Sequence, residues 1–163
     1  MLIRLAVPAD AMAIAQVHVR SWQVGYAGLL DADDLEALRP EARATDYRLD
    51  GEPPRTYVAE IDSPAIAGFV TVDPSAIPGR IRALYVHPDH WRSGVGSALM
   101  QRALDELVRA DHAVAELWVL QGNNRAERFY DAHGWMPTGR FRREVVWGMT
   151  VGEREYRMNI GDN

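Results

Sequence analysis

The chain contains no cysteine and no lysine. Without thiols it can form no disulfide, thiol nucleophile, Cys-x-x-Cys redox pair or cysteine-ligated zinc site, which leaves His, Asp and Glu as candidate metal ligands. The five histidines, His18, His87, His90, His112 and His133, are scattered at spacings that suit no metal centre, so no metal is expected. A reducing compartment fits a chain without thiols, and the expected location is cytoplasmic. Long apolar runs are also missing. None approaches the roughly 18 residues of a membrane span, and Met1 to Val7 meets Pro8 and Asp10 before an apolar leader could form, so no membrane partner is expected. Every one of the 18 cations is an arginine, set against 23 acidic residues for a net charge of −5. That balance, with the arginines spread along the chain, opposes nucleic acid as a partner.

The 163 residues, with 47% apolar and 25% charged side chains, have the composition of a folded chain and the length of one domain, 1–163. Leu2 to Val7 reads as a first strand, and Asp10 stands where a helix N-cap belongs. Ile14, Val17, Ser21 and Trp22 recur at helical spacing to about Gln23, Gly25 and Gly28 break the run, and Asp31 opens a second acidic-capped segment over Asp33 to Leu38. Pro40 to Pro54 reads as helix remnant and loop. The runs Thr56 to Ile61 and Ile66 to Val72 flank Asp62-Ser63-Pro64 and predict an antiparallel hairpin. Ile81 to Val86, a helix with Val95, Leu99, Ala103 and Leu107 on one stripe, and Val114 to Leu120 form a strand, helix, strand unit, which makes the two strands parallel. Asn123 to His133 predicts an amphipathic helix ended by Gly134. Trp135 to Ile160 predicts a terminal strand pair around Gly148 and Gly152, whose arginine-rich Arg140 to Arg143 reads as a solvated strand face.

Chemistry concentrates where the strand Leu84-Tyr85-Val86 runs through His87-Pro88-Asp89-His90-Trp91-Arg92-Ser93-Gly94-Val95-Gly96-Ser97 into a helix. A helix start leaves its first N–H groups unpaired and carries about half a positive charge, so a glycine-rich strand-to-helix turn can cradle phosphate. One helix end contributes only about 0.3–1 kcal/mol, so several N–H bonds and Arg92 have to act together. The spacing fits neither a GxxxxGK[ST] loop nor GxGxxG, which disfavours an ATPase or a dinucleotide fold.

Together with Asn123-Asn124-Arg125-Ala126-Glu127-Arg128-Phe129-Tyr130, this stretch resembles the GNAT superfamily of N-acetyltransferases. The family's V-x-P strand end, its Q/R-x-x-G-x-G/A turn and its N-x-x-A-x-x-F/Y-Y helix closed by G-F/W are met at Val86-His87-Pro88, at Gly94-Val95-Gly96, at Asn123, Ala126, Phe129 and Tyr130, and at Gly134-Trp135. One position departs. Trp91 stands where the family has Gln or Arg, with Arg92 one place later.

The resemblance implies an α/β (α+β) domain with a mixed sheet of about six to seven strands splayed in the middle and flanked by about four helices. It implies acetyl-CoA as co-substrate and a small-molecule or peptide amine as acceptor. The residues it would place on acetyl-CoA are Leu84, Tyr85, Val86, Trp91, Arg92, Ser93, Gly94, Val95, Gly96, Ser97, Asn123, Ala126, Phe129 and Tyr130. Acetyl transfer to an amine needs a neutral amine, a stabilised oxyanion and a proton for the departing thiolate. By resemblance the backbone N–H of Val86 holds the thioester carbonyl and Tyr130 is the general acid. The base is open between Asp73, Glu116, His87, Glu144 and a water held near Tyr85. Trp22, Tyr26 and Asp31, in the first helical hairpin, are the expected acceptor wall, since aromatic faces with a carboxylate suit a cationic amine. A non-catalytic acyl-CoA sensor on the same fold is the alternative. Edge strands in the terminal hairpin make a homodimer the expected assembly.

Overall fold

The structure is a computed structural model that describes residues 1–63 and 65–161. Pro64, in the predicted hairpin loop, lies outside the described residues. Among the described residues seven strands form one sheet in the order β1-β2-β3-β4-β5-β7-β6. They are β1 (Leu2–Leu5), β2 (Arg55–Ile61), β3 (Ala65–Asp73), β4 (Gly79–Val86), β5 (Val114–Leu120), β6 (Met136–Val146) and β7 (Met149–Asn159). All neighbours are antiparallel except β4 and β5. The helices are α1 (Ala11–Gly25), α2 (Ala32–Glu36), α3 (Pro40–Arg43), α4 (Val95–Arg109) and α5 (Asn124–Ala132). The mixed sheet of seven strands is the expected architecture, and β4-α4-β5 is the expected parallel unit.

The helices cover the sheet on two faces. On one face the stripe Val95, Leu99, Ala103 and Leu107 of α4 is buried with Val70, Val72, Ala115 and Leu117. Close seating of α4 depends on Gly68 of β3. A Cβ there would meet the Tyr85 carbonyl oxygen at 2.8 Å and Leu99 at 3.1 Å, so a side chain would push helix and sheet apart. On the other face α1 buries Ile14 and Val17 against Val58 and Phe69, and Val19, Trp22 and Tyr26 against Leu120, Met149 and Val151. The predicted cap at Asp10 is corrected. Asp10 is itself helical in its dihedrals, and its carboxylate makes no side-chain cap for α1. It accepts instead from the Val7 N–H at 2.8 Å and pairs with Arg4, because Pro8–Asp10 forms a separate 3-10 turn that takes the cap first.

β6 and β7 are joined by the two-residue turn Trp147-Gly148, with φ of 52° and 77°, the left-handed pair that matches strand twist. That turn drops Trp147 onto the α1 face, where it lies 4.3 Å from the His18 ring and 4.6 Å from Trp22, centroid to centroid. β6 is the outer strand and is exposed along most of its length, so the sheet edge on which chain pairing was expected is open. Arg140 and Arg142 on it are engaged by Glu155 and Glu153 of β7.

His18 sits at the centre of this aromatic cluster, with Nδ1 2.9 Å from the Tyr47 hydroxyl. Burial, reinforced by the charge of Arg43, holds its pKa down to about 3 from 6.5. The unfolded chain therefore takes up a proton near pH 6.5 that the folded chain refuses. Stability from this group is complete above pH 6.5 and declines by about 1.4 kcal/mol per unit as pH falls toward 3. His18→Leu is expected to remove that dependence. Urea unfolding between pH 6.5 and 4.5 should show the parent protein losing roughly 2–3 kcal/mol more than the variant; parallel losses would mean that His18 takes up its proton in the folded state.

Candidate active site

β4 and β5 pair at only two positions, Gly79 with Ala115 and Arg80 with Glu116. Each strand is held on its far edge, β4 by β3 up to Val86 and β5 by β7 up to Leu120, so the facing edges are free to part. Between Ile81–Val86 and Leu117–Leu120 lies a cavity of about 420 Å³, a size suited to a small-molecule ligand.

Hydrogen-bond parity fixes which groups face this gap. The His87 N–H donates to the Ala67 carbonyl at 2.8 Å, and antiparallel pairs alternate between bonded and non-bonded. Val86, opposite Gly68, is therefore in a non-bonded pair, and its N–H turns toward the gap. Its carbonyl on the same edge accepts from Ser21 Oγ at 3.0 Å and from Trp91 Nε1 at 2.8 Å.

Beyond the strand, Arg92 (φ 61°) and Gly94 (φ 86°) are both left-handed, and Ser93 Oγ donates to the His90 carbonyl. These bends wrap the chain into an arch ahead of α4. The first helical bond runs from the Ala98 N–H to the Gly94 carbonyl at 3.1 Å. None of the amides of residues 92–97 has a hydrogen-bond acceptor among the described residues. Six N–H groups without an acceptor among the described residues and the positive end of a fifteen-residue helix thus lie along one arch. Gly96 contributes differently, because a Cβ would meet Phe129 Cε2 at 3.3 Å and its bare backbone lets α5 close over the first turn of α4. His133 fastens the two helices. Its Nδ1 lies 2.7 Å from the Phe129 carbonyl, which requires the proton there, and its Nε2 then accepts from Ser97 Oγ at 2.8 Å.

Asn123 is buried and caps α5, its side chain accepting from the Ala126 N–H at 3.3 Å. One face of α5 turns Ala126, Phe129 and Tyr130 into the cavity. Tyr130 is 9% exposed, and its hydroxyl has no hydrogen-bond partner among the described residues. Burial pushes its pKa above the ordinary tyrosine range, while the charge of Arg125 pulls the other way. The phenol therefore carries its proton at neutral pH, with no acceptor among the described residues holding it.

The model of the acetyltransferase (GNAT) family matches residues 17–135. The chain belongs to the GNAT family. An uncharacterized N-acetyltransferase of Archaeoglobus fulgidus is 41% identical over 80 residues, which span 45% of this chain and 54% of that protein. A probable N-acetyltransferase of Mycobacterium tuberculosis is 28% identical over 163 residues, covering 96% of this chain and 92% of its own. Among solved structures, the PaiA N-acetyltransferase from Thermoplasma acidophilum in complex with coenzyme A superposes with a TM-score of 0.75 at 20% identity, covering 98% of this chain and 99% of that one.

Of the residues the GNAT motifs single out, Leu84, Tyr85, Val86, Trp91, Arg92, Gly94, Gly96, Ser97, Asn123, Ala126, Phe129 and Tyr130 line this one cavity. Ser93 shapes the arch, and Val95 is buried in the core. Of the expected acceptor wall only Tyr26 reaches the cavity. Its hydroxyl is 3.4 Å from that of Tyr85, and burial raises both phenols. Trp22 is packed behind it against Tyr26 and Trp147. Asp31 is exposed and spends its carboxylate capping α2 through the Asp34 N–H at 3.0 Å.

The four candidate bases do not line the cavity. Asp73 pairs with Arg82 and Ser75, Glu116 with Arg80, Arg157 and the Trp118 indole, and His87 faces a groove on the far side of α1, while Glu144 lies on the exposed outer strand. The carboxylate that does line it is Glu153 of β7, opposite Leu120 in register and held by Arg142 at 3.1 Å. Linear spacing carries no sign of it. Nor does it show the clustering of cations: Arg92, Arg125 and Arg128 meet at this cavity, none with an ion-pair partner among the described residues. Arginines spread along the chain are gathered here, since α5 brings Arg125 and Arg128 to the cavity that Arg92 lines.

Proposed function

We propose that this protein is an acetyl-CoA-dependent N-acetyltransferase that moves an acetyl group from the CoA thioester to a primary amine by direct attack. The observation that carries this reading is the ring of free amides at 92–97 set at the mouth of the β4–β5 gap. Their hydrogen bonds, with Arg92 and Arg128 beside them, suit the CoA diphosphate, and the gap suits the pantetheine arm. The residues present fit that group: the cradle is all N–H donors and guanidinium, and the gap offers strand edges with unused hydrogen-bonding capacity.

The chain's own groups then divide the chemistry. The Val86 N–H stabilises the oxyanion that develops as the amine nitrogen attacks the thioester carbon, a contribution of about 2.7–4 kcal/mol where such donors have been removed from other acyl-transfer sites. Tyr130 gives its proton to the sulfur as the carbon–sulfur bond breaks. Glu153 takes the proton the amine must lose, directly or through a water such as the one expected near Tyr85, and unlike Asp73, Glu116, His87 and Glu144 it lines the cavity.

The test is release of free CoA thiol with a panel of amines. Turnover that requires both acetyl-CoA and an amine is expected, with one acetylated product per thiol released. Tight acetyl-CoA binding without turnover on any amine would replace this reading with the acyl-CoA sensor.

A further inference from the structure

The proposed reaction assigns no substrate contact to Arg125, a cavity cation without an ion-pair partner among the described residues. Arg125 follows the cap of α5, and its guanidinium lies over the Trp91 ring, 3.7 Å from the centroid. Trp91 is in turn pinned to the Val86 carbonyl at 2.8 Å, so the stack stands beside the residue whose N–H faces the gap, not out at the arch. Gly25 at the end of α1 makes room for it: a Cβ there would lie 3.1 Å from Arg125 Nη2. No carboxylate or carbonyl receives the guanidinium among the described residues. Its field reaches the phenols of Tyr26 and Tyr130, one on the acceptor side of the cavity and one at the thioester end. Across the cavity the field of Glu153 also reaches Tyr26.

Tyr26 therefore lies in the field of one cation and of one carboxylate, the latter paired with Arg142. A planar cation fixed by stacking, with five donors and no hydrogen-bond or ion-pair partner among the described residues, is a ready receptor for a carboxylate. The opposite charge on β7 suits an amine. We propose that Arg125 anchors the carboxylate of the acceptor, so that the substrate is a small zwitterion of the amino-acid class, with its amine directed to Glu153 and the thioester. This rests on the acetyl-transfer reading and narrows its substrate. The Trp91 departure from the family pattern acquires a function: the indole gives up contact with phosphate and becomes the platform for the anchor.

The anion could instead be a CoA phosphate, and the test has an arm for each. Acetylation is measured on matched pairs, leucine against isoamylamine and phenylalanine against phenethylamine, with acetyl-CoA affinity followed by calorimetry. The parent protein is expected to favour the carboxylated member of each pair by at least roughly tenfold in kcat/KM, the loss expected for one charged hydrogen-bonded contact. In Arg125→Gln that ratio should collapse to within about threefold, with Arg125→Lys between the two, while acetyl-CoA Kd changes by less than about threefold. An unchanged ratio, a parent preference for the decarboxylated amines, or a tenfold rise in acetyl-CoA Kd with the ratio intact would overturn the proposal. If acetyl-CoA binds but no amine turns over, the transfer reading fails separately, and calorimetry of the same pairs into the CoA complex still decides: carboxylate-dependent binding lost in Arg125→Gln supports the anchor, and equal binding of both members overturns it.

Discussion

Tyr130→Phe is expected to lower kcat by about 100- to 10,000-fold while leaving acetyl-CoA Kd within about threefold, the split that marks a group used only in the chemical step. The substitution removes one oxygen from a side chain whose ring packs near Phe129, Trp135 and Tyr156 and whose hydroxyl has no partner to lose among the described residues. Unfolding free energy should therefore hold or rise slightly, which separates catalysis from folding. The phenol is suited to its part by two opposed effects. Burial alone would make it a reluctant donor, and the nearby guanidinium of Arg125 offsets part of that reluctance by stabilising the phenolate left behind. A variant that kept more than about a third of kcat would assign the sulfur's proton to solvent.

Gly94→Val is expected to weaken acetyl-CoA binding by at least about 100-fold, equivalent to losing two charge-assisted hydrogen bonds at the low end of their range. The cause is conformational. Gly94 has φ 86° and nothing within 4 Å of where a Cβ would go, so no clash accompanies the change. A β-branched residue at that φ is an outlier, and the arch relieves the strain by turning its amides away from their common focus. Gly94→Ala should fall between, since its strain is about 1–2 kcal/mol. Equal affinities for all three proteins would show that the arch does not hold the diphosphate.

Much of the scaffold is legible in the sequence, because local patterns dictate it. The four-residue stripe of α4, the β-branched run of Val114–Leu120 and the left-handed Gly134 after α5 each carry their own physical signal, and each element lies where that signal puts it. What pattern alone does not show is the gap. Ile81–Val86 and Val114–Leu120 look like any two parallel strands, and only the two-position pairing seen in three dimensions reveals that they part. The same holds for Glu153 and Arg125. Glu153 reaches the cavity because antiparallel register sets it opposite Leu120, and Arg125 because Trp91, 34 positions earlier, offers a flat ring at the right place. Neither relation has a spacing that a linear reading can find. Asp31 shows the converse: a carboxylate beside aromatic residues in sequence turns out to be consumed by its own helix.

The proposed contact surface for acetyl-CoA is the run of amides at 92–97, unpaired among the described residues, together with the N–H of Val86. The most direct test is a titration of the ¹⁵N-labelled protein with CoA and then acetyl-CoA, followed amide by amide. Residues 92–97 should move strongly with either ligand, and Val86 should move further when the acetyl group is present. Saturable binding that left these seven amides in place, or perturbed a different surface, would contradict the account.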